Sequence, residues 1–225
     1  MKTPARVLAI SVAATALLYI VPGGRILAWP LVLVSTLAHE LGHGLAAVML
    51  GGRFESLVIR AAASGAAAWS GAFGRLEIAA VAAAGLVGPA LAAYVLLAIG
   101  RAPRRAPVLL ACVAMGLLLV ALLLVRNGFG WWFTLLLAAL CAAVPWRAAR
   151  LSQGFVVFLA VQLALSVYSR GDYLFTRAAV SSAGIGPSDV AVMAAALFLP
   201  YWFWGALCGA LSLLLLYAGA RAFFR

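Results

Sequence analysis

Residues 27–50 read LAWPLVLVSTLAHELGHGLAAVML, an apolar stretch long enough to cross a bilayer that carries three ionisable side chains near its centre. His39 and His43 are the only histidines of the chain, and Glu40 lies between them. An ionisable group inside a membrane span costs about 2.5–3.5 kcal/mol even on the gentler insertion scales, so this cluster requires a compensating partner. The stretch therefore predicts a transmembrane helix built around a functional site.

The H-E-x-x-H spacing from His39 to His43 indicates a metal site. Positions four residues apart share one face of a helix, so the two imidazoles can bind one tetrahedral metal ion. Glu40 is placed where it can take a proton from a water that the metal activates, which is the general-base role in metalloproteases. Without a metal, the histidines would only bridge neighbouring helices by hydrogen bonds. The complete spacing favours the metal site.

The composition indicates an integral membrane protein. Of 225 residues, 67% are hydrophobic and 9% are charged, whereas a soluble domain is about 45–50% apolar and about 25% charged. The predicted fold class is an all-α polytopic membrane protein, with residues 1–225 forming one domain. The net charge of +11 comes mostly from arginines at the ends of apolar runs. It therefore predicts contacts with lipid head groups rather than with nucleic acid.

The apolar runs predict about six to seven transmembrane helices. Their approximate spans are residues 7–22, 27–50, 76–100, 107–125, 129–146, 153–169 and 194–219. The first span is also compatible with a signal peptide, because Lys2 and Arg6 precede it. The arginine-rich and alanine-rich usage is typical of a GC-rich bacterial genome, which would place the protein in a bacterial plasma membrane.

Two connections are longer than simple turns. Residues 53–75 alternate weakly and pass through Ser64-Gly65, a pattern that predicts a small β-hairpin at the membrane edge, with strands near 54–60 and 66–70. A plain interfacial loop fits this segment equally well. Residues 170–192 form a polar loop between two apolar spans.

A catalytic zinc ion held by two histidines needs a third protein ligand and an open fourth position. No histidine remains, so a carboxylate must serve. Glu55 and Glu77 flank the predicted hairpin as interfacial charges. Asp172, which follows a membrane span, is the first candidate. Asp189 is the alternative, and it ranks second because Asp189 or Ser188 could instead cap the last helix.

These residues resemble a known family, the site-2 protease group of intramembrane zinc metallopeptidases, and in particular its compact branch without a PDZ domain. Only the first of the three stretches that carry the resemblance is specific by itself. They are residues 38–44 (AHELGHG) with Gly51-Gly52, residues 85–90 (GLVGPA), and a C-terminal set of Ser166-Val167-Tyr168, Asp172, Ser188-Asp189 and Trp204-Gly205.

The resemblance implies a zinc ion held by His39, His43 and an aspartate from a later core helix, with Glu40 as the base. Asp172 best matches that aspartate. It also implies that the hairpin pairs with an unwound strand of the substrate. The chain departs from the better-studied members, because Tyr173 follows Asp172 where those members have an Asp-Gly pair.

The sequence thus predicts an intramembrane zinc metalloendopeptidase that cleaves membrane protein or peptide substrates within the lipid bilayer. Mixed histidine and carboxylate ligation favours zinc as the cofactor, and water must reach the site through a polar cavity. The main alternative is a catalytically inactive, zinc-binding membrane scaffold of the same family. A metal or proton transporter is a third class, although few further acidic groups are present to form a relay.

Overall fold

A computed structural model describes residues 3–169, 171–181 and 184–225, apart from the side chains at 3, 4, 19, 25, 168, 169, 171, 172, 180 and 181. This part of the chain is mainly helical. Its helices are α1 (Thr3–Ile20), α2 (Gly24–Met49), α3 (Arg75–Gly100), α4 (Ala106–Leu123), α5 (Gly128–Arg147), α6 (Ser152–Ser169), α7 (Asp189–Leu197) and α8 (Tyr201–Phe224). The short 3-10 helices are Ala149–Leu151 and Gly171–Phe175. The strands are β1 (Arg53–Ile59), β2 (Gly65–Ser70), β3 (Ala178–Ser181) and β4 (Gly184–Pro187).

Six helices in the described part of the chain are long and apolar enough to cross a membrane. They comprise α2, α3, α4, α5, α8 and the helical segment Ala149–Val167 that contains most of α6, and α1 adds a shorter apolar run, Ala5–Leu18. Large apolar side chains on these helices face outward, as they do where the surrounding solvent is lipid; Met49, for example, is 86% exposed. The polytopic all-α fold predicted from composition is therefore confirmed.

The last span begins later than its hydropathy suggested. Residues 194–219 were expected to form one helix, but α7 ends at Leu197 and α8 begins at Tyr201. Phe198 adopts a left-handed conformation with φ 65°, and Pro200 precedes α8. A proline lacks the backbone N–H that a continuing helix needs, so the apolar run is divided into two helices.

Helix α3 occupies the centre of the bundle and packs against α2, α6, α7 and α8. Its approach to α2 depends on glycines. A Cβ atom at Gly42 would lie 2.3 Å from the carbonyl oxygen of Ala84, and one at Gly88 would lie 2.9 Å from that of Ala38. Helix α2 therefore packs against the GLVGPA segment backbone to backbone, which small residues allow.

The predicted hairpin is present, with β1 and β2 paired antiparallel. It runs along α2 instead of staying at the end of that helix. The ring of Phe54 packs at Gly44, the carbonyl of Ala63 accepts a hydrogen bond from Thr36, and that of Ala61 accepts one from the Trp29 indole. From Gly44 to Trp29, α2 rises about 22 Å, so the hairpin accompanies much of the depth of the bundle.

The outer edge of β1 is covered by the segment between α4 and α5. The amide of Leu57 donates to the carbonyl of Leu124 (2.8 Å), and the carbonyl of Leu57 accepts from the amide of Arg126 (2.9 Å). The side-chain amide of Asn127 then bonds both the N–H and the C=O of Ile59. The edge of this hairpin that stays open in the described structure is therefore that of β2.

Candidate metal centre

The two histidines converge on one point at the centre of α2. Their Nε2 atoms lie 3.2 Å apart, and their rings meet edge to face with centroids 4.7 Å apart. This follows from the helical i, i+4 spacing, which puts both side chains on the face that packs toward α3 and α7. His43 is almost fully buried.

The orientation of His43 is fixed by α3. Its Nδ1 lies 2.8 Å from the carbonyl oxygen of Val81. A carbonyl oxygen can only accept, so Nδ1 carries the proton and, in the neutral ring, Nε2 keeps a free lone pair. Gly85 makes room for the ring, because a Cβ atom there would lie 2.1 Å from Cε1 of His43.

Asp189 is brought to the histidines by the short helix α7. Ser188 caps this helix, accepting a hydrogen bond from the amide of Ala191, and the hydroxyl of Ser188 donates to the carbonyl of Thr176. Val190 and Met193 are buried in the cluster that α7 shares with α3 and α8. Because Ser188 does the capping, the carboxylate of Asp189 is left free to turn toward α2.

The three side chains bring donor atoms close enough to share one metal ion, with a different oxygen of Asp189 next to each histidine. The Nε2 of His39 lies 3.3 Å from Oδ2 of Asp189, and the Nε2 of His43 lies 3.4 Å from Oδ1. Tetrahedral zinc with bonds of about 2.0–2.1 Å holds neighbouring donors about 3.3–3.4 Å apart. With one donor atom taken from each residue, all three lie within 4.8 Å of one another.

The environment of Asp189 suits a ligand better than a simple ion pair. Its Oδ2 is buried and, despite the nearby imidazole, has no hydrogen-bond partner of acceptable geometry in the described structure. Burial disfavours the ionised form, but the two imidazoles outweigh that cost and hold the pKa of this carboxyl below its ordinary value. Asp189 is therefore available as a carboxylate, the form in which metals bind it.

Glu40 lies beside this cluster, on the side of the hairpin. It is buried, and strand β2 passes beside its carboxylate. A Cβ atom at Gly65 would lie 2.6 Å from Cγ of Glu40 and 2.7 Å from Oε1. Strand β2 and the histidine face of α2 thus enclose the carboxylate that the motif predicted as a base.

The predicted first choice for the third ligand, Asp172, belongs to the 3-10 helix Gly171–Phe175, and its side chain lies outside the described residues. That prediction stays a prediction. Of the other acidic residues, Glu55 accepts a hydrogen bond from Ser70, and Glu77 lies in the first turn of α3. Neither belongs to the metal-ligand group found among the described residues.

The sequence did not reveal two backbone features that position the ring of His43. The backbone carbonyl of Val81 leaves no trace in a side-chain pattern, so nothing in the sequence pointed to it. The role of Gly85 had a signal, since it opens the GLVGPA segment, but its contact with His43 depends on how α2 and α3 pack.

Comparison with known protein families gives one finding. A family model described as Peptidase M50B-like matches residues 9–219. No curated protein and no solved structure matches the chain significantly.

Proposed function

Because the chain belongs to the Peptidase M50B-like family, which confirms its resemblance to the site-2 proteases, we propose that it is an intramembrane zinc endopeptidase. The observation that carries the proposal is the convergence of His39, His43 and Asp189 next to Glu40. Family membership supports a metallopeptidase in general terms. The assignment of individual residues rests on the geometry of this site.

In this proposal, His39, His43 and Asp189 hold the metal. The 3.2 Å separation of the two Nε2 atoms, the fixed tautomer of His43 and the orphaned oxygen of Asp189 support a zinc ion, and one donor atom from each residue lies within 4.8 Å of the other two. Zinc bound there would polarise the substrate carbonyl and make water acidic enough to attack near neutral pH. Asp172 is the alternative third ligand, and metal binding by substituted proteins distinguishes the two.

Glu40 moves the proton. As a carboxylate beside the ligand cluster, it accepts a proton from the attacking water while the oxygen of that water bonds to the carbonyl carbon of the scissile peptide. It then delivers the proton to the departing amine nitrogen as the C–N bond breaks. The close packing of β2 at Gly65 keeps this carboxylate beside the ligand cluster between the two steps.

The open edge of β2 offers a place for the substrate. Leu57 directs its N–H and C=O toward residues 124–126, so in an antiparallel ladder its partner Ala67 directs both groups to the opposite side. That side is where Glu40 lies. A substrate segment added to this edge would satisfy the amides freed by unwinding its helix and would pass next to the base.

The proposed substrates are transmembrane segments of other proteins. The chain is an integral membrane protein by its helices and its family, and a site near the middle of α2 is reached most directly by segments within the bilayer. We place it in a bacterial plasma membrane.

The test compares wild type with Glu40→Gln in liposomes that contain helical membrane substrates. Both proteins are expected to retain zinc, and cleavage by Glu40→Gln should fall about 10²–10⁴-fold, the usual contribution of a general base. Equal cleavage rates would refute the mechanism. A zinc-loaded wild type that cleaves none of a broad substrate panel would instead favour the inactive scaffold.

A further inference from the structure

A small cavity lined by both polar and apolar side chains adjoins His39. Its volume is about 30 Å³, and hydroxyl-bearing side chains from three helices reach it: Ser35 of α2, Ser166 of α6 and Ser212 of α8. His39 and Tyr173 also line it. In the middle of an apolar bundle, three serines around one cavity call for a polar occupant.

Ser35 is the strongest indication of that occupant. Its side chain is 2% exposed, and its Oγ has no hydrogen-bond partner in the described structure. Other buried helical hydroxyls bond the carbonyl four residues earlier, as Thr36 does to Val32 and Thr134 does to Gly130. Ser35 lines the cavity, and its hydroxyl does not follow this pattern.

Among the described residues, no counterpart of the support that His43 receives is found for His39. The Nδ1 of His43 donates to a backbone carbonyl of α3, whereas no described residue offers a hydrogen-bond partner to the Nδ1 of His39. Metal-binding imidazoles almost always donate their second N–H to an oxygen, because that bond fixes the ring and raises its basicity. The ring of His39 lines the cavity.

We propose that this cavity is a structural water site that orients His39. It exceeds the roughly 10–15 Å³ that one water needs, so one or two waters fit. They would accept the Nδ1–H of His39 and bond the hydroxyls of Ser35 and Ser212. Ser166, whose hydroxyl donates to the carbonyl of Leu163, lines the same cavity.

This inference rests on the proposed function, since it assigns His39 to the metal through Nε2. The serines are positioning residues, which act on the metal through the water and the ring. No serine touches the substrate in this scheme. Their effect should therefore appear first in metal affinity and in the electronic environment of the bound ion.

The test compares Ser35→Thr with Ser35→Val, two side chains of nearly equal shape that differ in the hydroxyl. Zinc affinity is measured by competition with a chelator, and the coordination sphere is followed by the visible absorption of the Co²⁺-substituted protein. Ser35→Val should bind zinc about 10–100-fold more weakly than Ser35→Thr, with a shifted Co²⁺ spectrum. The same pair at Ser212 serves as a second test if a variant at position 35 does not fold.

Ser152→Ala is the matched control. Ser152 is also fully buried with an unpartnered Oγ among the described residues, but it lies about 21 Å from Ser166 along α6. Its loss should leave zinc affinity and the Co²⁺ spectrum unchanged. Equal zinc affinity and equal spectra for the threonine and valine variants would overturn the water site alone. A folded wild type that binds no zinc would overturn the proposed function and this inference with it.

Discussion

Replacing Gly85 by alanine should remove His43 from the metal. The new Cβ atom would lie 2.1 Å from Cε1 and 2.2 Å from Nε2 of the imidazole, whereas ordinary contacts begin at 3.4 Å. Ring and helix must therefore separate by more than about 1 Å, and Zn–N distances tolerate only about ±0.2 Å. The ring cannot swing aside without losing its hydrogen bond to Val81.

The expected loss of zinc affinity exceeds the roughly 10–100-fold typical of losing an outer hydrogen bond, because a ligand itself is displaced. Chelator competition on detergent-purified protein measures it. Gly116→Ala is the control, since nothing lies within 4 Å of a Cβ atom at that position in α4, and it should bind zinc like wild type. Wild-type affinity in a folded Gly85→Ala protein would refute the packing of α3 against His43.

Three further substitutions test the supports of the site. Gly65→Ala should push the carboxylate of Glu40 aside and lower kcat by about 100-fold while zinc stays bound; unchanged kcat would place Glu40 elsewhere. Asn127→Ala removes two hydrogen bonds to Ile59 and should destabilise the protein by about 1–3 kcal/mol, seen as a lower Tm in detergent; an unchanged Tm would contradict the edge-covering role. Ser188→Ala should lower the stability of the protein by about 1 kcal/mol through loss of the helix cap, and it should weaken zinc binding because Asp189 is no longer held in place. Zinc affinity equal to wild type would show that the cap does not position Asp189.

The sequence was sufficient for the features that depend on local spacing. Membrane helices follow from hydropathy, and the convergence of His39 and His43 follows from the i, i+4 geometry of one helix. The weak alternation around Ser64-Gly65 was compatible with the hairpin that the structure shows, although it fitted a plain loop equally well. Each of these inferences needs contacts only between near neighbours in the chain.

The third ligand depends on contacts that the sequence does not encode locally. Asp172 and Asp189 share one polar stretch, and Asp172 ranked first because it follows a membrane span and because Asp189 or Ser188 could cap the last helix. Asp189 reaches the histidines because Val190 and Met193 fit between α3 and α8 and because Ser188 takes the capping role. Hydropathy also hid the break at Pro200, since apolar residues continue on both sides of it.

The most direct test of the account is the zinc content of purified wild type, Asp189→Ala and Asp172→Ala, measured by mass spectrometry. We expect about one zinc per chain in wild type and in Asp172→Ala, and loss of zinc in Asp189→Ala, because zinc held by two histidines needs its third protein ligand. Zinc retained by Asp189→Ala and lost from Asp172→Ala would contradict the ligand set that the structure supports.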